Sequence, residues 1–99
     1  MKKATVYTET EALAHALYAL EEGGIVSTPH LRHRMSERGF DMNDLIAVFE
    51  NGHIKKPPKW DEIHQNWTYR VEGHDIEGDE LSVVFAIDKN GLLHLITGI

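Results

Sequence analysis

Near its midpoint the chain changes its hydrophobic period. Up to about residue 52 apolar side chains recur every three to four positions, as on a helix face. After residue 66 they alternate with polar ones, as on a strand. Helices first and strands afterwards predict an α+β domain, with N-terminal helices packed on a C-terminal antiparallel sheet. A chain of 99 residues has room for one hydrophobic core, so residues 1–99 read as a single domain.

Local signals bound the helices. Thr8 and Glu11 have capping-box spacing, which starts a first helix at about Glu9. Leu13, Ala16, Leu17 and Leu20 form its apolar face, and Gly23-Gly24 ends it after Glu22. Thr28 as N-cap and Pro29 as first residue open a second helix that runs to Gly39. A third begins at Asp41, with Phe40 and Leu45 at staple spacing, and closes at Gly52. Leu31 and Met35, then Leu45, Val48 and Phe49, face inward.

The strands follow. His53-Ile54-Lys55 reads as a short strand and Lys56-Pro57-Pro58-Lys59 as a loop, because proline has no N–H to give a ladder. Trp67, Tyr69 and Val71 alternate in one strand, and Leu81, Val83, Phe85 and Ile87 in the next. Asp88-Lys89-Asn90-Gly91 is a hairpin turn leading into a last strand from Leu92 to Ile99.

Composition narrows the chemistry. With no cysteine there are no disulfides, thiolate metal sites or cysteine nucleophiles. No apolar run approaches the ~20 residues of a membrane span. Met1-Lys2-Lys3-Ala4 has no apolar stretch behind it, so no secretory leader is expected and the protein reads as cytoplasmic, with no membrane partner. The net charge of -6 comes from residues 60–99, where Arg70 and Lys89 are the only cations among the acids. Glu72, Asp75, Glu77, Asp79 and Glu80 cluster there. They read as a solvated loop, or as a surface for a basic partner.

One helical row stands out for chemistry. His30, Arg34 and Arg38 lie four residues apart, within a stripe about 80° wide beside Leu31 and Met35. Three stacked cations repel one another, and an anion would relieve that repulsion. Guanidinium groups hold phosphate in a bidentate fork. The bland alternative pairs Arg34 with Glu37 or Glu50 and Arg38 with Asp41 or Asp44, leaving His30 wet. Arg70 and Tyr69 are strand neighbours on opposite faces. Thr97 sits in an apolar last strand, and His94 reads as an exposed alternating position. His30 and His33 have ligand-pair spacing, but neither His53 nor His64 is fixed as a third ligand, so no metal or other cofactor is expected. Asp61, Glu62 and Asp75 form no convincing acid/base pair on spacing alone.

The helix motif His30-x3-Arg34-Met35-x2-Arg38-Gly39, then Asp41-x2-Asp44-Leu45 and Asn51-Gly52, resembles the bacterial domain of unknown function "four-two-five-eight". Trp67-Thr68-Tyr69-Arg70-Val71, Leu81-Ser82-Val83-Val84-Phe85 and Ile96-Thr97 look like its strands. The resemblance covers residues 28–99 as a family-like core, with 1–27 as an N-terminal helix extension. That family is similar to the BrnT, MqsR and RelE toxins, which implies a RelE-like fold and RNA cleavage without metal. It implies RNA as substrate and an antitoxin as protein partner. His30, Arg34, Arg38, Tyr69, Arg70 and Thr97 match its polar positions and become the candidate catalytic set. His30 would serve as base or acid, the arginines would stabilise the phosphorane, and Tyr69 or Thr97 would orient the phosphate. Such toxins are usually basic and this chain is acidic. A non-catalytic interaction protein of a phage or mobile element, on the same fold, is therefore the second reading.

Overall fold

A computed structural model describes residues 5–98; Met1–Ala4 and Ile99 lie outside the described residues. The elements in order are α1 (Glu9–Glu22), β1 (Ile25–Ser27), α2 (Pro29–Arg38), α3 (Met42–Asn51), β2 (Lys59–Asp61), β3 (Asn66–His74), β4 (Glu80–Ile87) and β5 (Leu93–Gly98). The class is α+β. The helix boundaries are those of their caps: both oxygens of the Thr8–Glu11 box are used, Thr28 caps α2, and Asp41 and Asp44 form a second box at α3.

The sheet has the order β1-β5-β4-β3-β2 and is mixed, which corrects the expected antiparallel sheet. β2, β3, β4 and β5 pair antiparallel, while β1 joins the edge of β5 in parallel, with Ile25 opposite Leu93. Three residues carry too little periodicity to announce a strand, and the partner of β1 is distant in sequence. Two further expectations shift. His53 makes one bridge to Glu72, through two bonds of 2.9 Å, and does not begin a strand. Lys59 leaves the proline loop and opens β2, an edge strand that tolerates a preceding proline.

Alternation assigns the two faces of the sheet. One carries Tyr69, Val71, Leu81, Val83, Phe85, Ile87, Leu93 and Leu95, all buried, and α1 and α3 pack on it. Phe85 stacks on Tyr69 with centroids 5.3 Å apart and meets the edge of Phe49 at 5.0 Å. α1 turns its small residues inward: Ala12, Ala16 and Ala19 are buried, and the expected Leu13, Leu17 and Leu20 flank them half-buried. α2 packs along β5 through buried Leu31. The second face carries Thr68, Arg70, Val84, Ala86, His94 and Thr97.

Gly52 closes α3 for a reason of space. Its φ of -88° suits any residue, but a Cβ there would lie 2.5 Å from the Val48 carbonyl oxygen and 2.8 Å from that of Glu72. Both are backbone atoms that cannot swing away. Gly52→Ala should therefore destabilise the fold by roughly 1–3 kcal/mol, measured by urea denaturation. A loss below ~0.5 kcal/mol would show that α3 and β3 separate easily.

Candidate active site

Two turns at one end of the sheet are built the same way. After β2, Asp61 Oδ1 accepts the N–H groups of Ile63 and His64 at 3.0 and 3.3 Å. Its Oδ2 lies 2.8 Å from His64 Nδ1. After β4, Asp88 Oδ1 accepts the N–H groups of Asn90 and Leu92 at 2.9 and 3.0 Å, and Gly91 takes a positive φ of 82°. Asp88 Oδ2 lies 2.8 Å from His94 Nε2. In each case one carboxylate oxygen shapes the turn and the other holds an imidazole.

The electrostatics favour charged carboxylates in both pairs. The hydrogen bond to the His64 side chain is the largest influence on Asp61 and draws its carboxyl below the ordinary aspartate value. Burial works against ionisation of Asp88. The bond to His94 and the N–H groups of Leu92 and Asn90 outweigh it, and this carboxyl also sits below its ordinary value. An ionised carboxylate accepts the ring N–H it faces, so it orients the ring and leaves the other nitrogen able to take a proton. That nitrogen is Nε2 in His64 and Nδ1 in His94.

Both pairs line a single cavity of about 670 Å³. Thr28, Trp60, Asn66, Thr68, Ala86, Lys89 and Ile96 are among its other walls. Its floor is a row across three strands, Thr68 opposite Ala86 opposite His94. Thr28 fastens α2 to this wall, because its hydroxyl donates to the Ile96 carbonyl at 2.7 Å while accepting from Leu31 N–H at 3.1 Å. His94 and Asp88 sit deep, with side chains 32% and 19% exposed, whereas His64 stands at the rim with 72% exposed. Two oriented imidazoles beside a lysine can take and give protons in general acid–base chemistry. Among the described residues no three histidine, aspartate or glutamate side chains are grouped to hold a metal ion.

The six residues singled out from the sequence lie elsewhere, and none lines this cavity. Arg70 and Thr97 form the next row along the same face, each opposite Val84, about 7 Å from the floor row. Arg70 is half-buried, and its Nε has no hydrogen-bond partner among the described residues. Tyr69 is on the core face, where its hydroxyl accepts the Tyr7 N–H at 2.8 Å. Burial raises its pKa, so the phenol stays neutral. His30 and Arg38 are exposed on α2, and Arg34 is half-buried, 3.2 Å from Glu37. Arg38 is ten residues past Thr28, about 15 Å along the helix, which is too far to converge on the cavity.

Sequence reasoning set aside Asp61 as an acid/base partner, His64 as a metal ligand and His94 as an exposed alternating position, and read Asp88 only as part of a hairpin turn. The available signal was the same at both turns: an aspartate where a strand ends, with a histidine three or six residues on.

The sequence profile of the Domain of unknown function (DUF4258) family matches residues 27–97. The chain belongs to this family. The DUF4258 match runs from Ser27 at the end of β1 to Thr97 in β5, so it includes both histidine–aspartate pairs, the Arg70–Thr97 row and all of α2. α1 precedes the DUF4258 match and nevertheless buries Ala12, Ala16 and Ala19 in the common core. No curated protein and no solved structure matches the chain.

Proposed function

We propose that this protein is a metal-independent endoribonuclease, an mRNA-interferase-like toxin that acts in the cytoplasm and is held in check by an antitoxin. The observation that carries the reading is the pair of aspartate-oriented imidazoles on one cavity. Cleavage uses the 2′-hydroxyl of the RNA as nucleophile. One imidazole takes the 2′-hydroxyl proton, the oxygen attacks phosphorus, and the other imidazole protonates the departing 5′-oxygen. Lys89 at the cavity and Arg70 in the adjoining row oppose the charge that builds on the phosphate. Thr97 lies beside that row, and His30, Arg34 and Arg38 form a track leading away from the cavity wall along α2. They would hold neighbouring phosphates. Tyr69 has a structural role in this scheme.

The test is direct. The purified chain, in excess EDTA, should cut single-stranded RNA and leave 2′,3′-cyclic phosphate ends, and its expression should arrest bacterial growth. Intact RNA together with normal growth would remove the reading.

One observation favours the second reading, a non-catalytic interaction module of a phage or mobile element. Glu77, Asp79 and Glu80 are exposed around the β3–β4 turn, beside Glu72 and Asp75, and present a negative surface to a basic protein. A stable protein partner captured by a chain that leaves RNA uncut would establish it.

A further inference from the structure

The walls of the cavity differ in kind. Trp60 and Ile96 supply apolar surface beside Thr68, while the histidine–aspartate pairs and Lys89 supply the charge. Between them stands Asn66, the first residue of β3, half-buried and lining the same cavity. Its neighbour Gln65 donates its amide N–H to the Glu62 carbonyl at 2.7 Å, and Asn51 ties both ends of its amide to the His74 backbone. The Asn66 amide makes no side-chain hydrogen bond among the described residues, and none of its atoms is shut off from solvent without a partner. A donor and an acceptor thus border the cavity unused, alongside the apolar surface of Trp60 and Ile96.

We infer that the cavity is a nucleoside subsite, in which the base of the nucleotide that supplies the attacking 2′-hydroxyl lies against Trp60 and Ile96 and is met along its edge by Asn66. This rests on the ribonuclease reading and adds a base-binding subsite to it. An asparagine amide carries one donor and one acceptor, and the edge of every base offers an adjacent pair to meet them, so the site distinguishes a nucleotide with a base from one without. The volume, about 670 Å³, lies within the range of roughly 300–1,000 Å³ typical of small-molecule sites.

The experiment is calorimetric titration of the intact chain with the four nucleoside 3′-monophosphates and with ribose 3-phosphate. The nucleoside 3′-monophosphates should bind about tenfold more tightly than ribose 3-phosphate. Asn66→Ala and Asn66→Asp should narrow that margin to about twofold while the melting temperature holds, since the native side chain bonds to nothing among the described residues that the fold needs. Equal binding of all five ligands, no binding of any, or an unchanged preference in both variants overturns the inference. Binding is read without turnover. A chain that shows the preference but cuts no RNA therefore refutes the nuclease and keeps the subsite, and a chain that cuts RNA with no preference does the reverse.

Discussion

His94→Ala should lower the rate of RNA cleavage by about 10²–10⁴-fold, the usual contribution of a positioned acid or base, with little change in thermal stability. The ring projects from β5 into the cavity and, among the described residues, its one hydrogen bond is to Asp88, so the core loses nothing when it goes. Two companion variants separate chemistry from architecture. Asp88→Asn keeps an oxygen for the N–H groups of Asn90 and Leu92, so the hairpin survives. It also turns an amide N–H toward His94 Nε2, which forces the ring proton onto Nδ1 and removes the basic lone pair there. Cleavage should fall nearly as far as with the alanine. Asp88→Ala loses the turn as well and should cost about 1–3 kcal/mol of stability. His64→Ala should match His94→Ala in rate, and the double variant should be little worse than either single one, because an acid and a base act as a unit. Full activity in His94→Ala would end the two-imidazole scheme.

The largest expected effect on stability is at Phe85. Phe85→Ala should cost about 3–5 kcal/mol, because the ring is fully buried in central strand β4. It is wedged between Tyr69 and Phe49, so it joins the sheet to α3. Neither neighbour can collapse into the space. Each hangs from a separate backbone element, and a cavity lined by two rings stays open. For a domain of this size each kcal/mol moves the melting temperature by about 4–8 °C, so the transition should fall by tens of degrees in a circular dichroism melt. Phe85→Leu keeps most of the volume and should cost less than half as much. Similar losses for both variants would mean that ring stacking, more than filled volume, stabilises this layer.

The DUF4258 family assignment and the cavity chemistry were legible to different degrees. The helix motif from His30 to Gly39 led to the family, and residues 27–97 bear it out. The same motif drew attention to a row of cations that runs away from the cavity. Periodicity shows that side chains share a helix stripe, and it is silent about what lies opposite that stripe. Arg34 beside Glu37 is the bland pairing that the local spacing already offered.

What the sequence by itself determined is whatever acts over a few residues. The capping boxes at Thr8 and Asp41, the Thr28-Pro29 start, the glycine after α2 and the Asp88–Gly91 turn set the element boundaries through hydrogen bonds between near neighbours. Alternation in β3 and β4 likewise settled which side chains enter the core. Only the tertiary structure decided that β1 pairs in parallel with β5, and that the turns after β2 and after β4 lie at one end of the sheet. Thr68 at the start of β3 faces Ala86 at the end of β4, and that register brings His64 and His94 to one cavity. Strand pairing is chosen by the burial of a whole sheet face, a sum over residues far apart in the chain, so no local pattern encodes the meeting of two histidines.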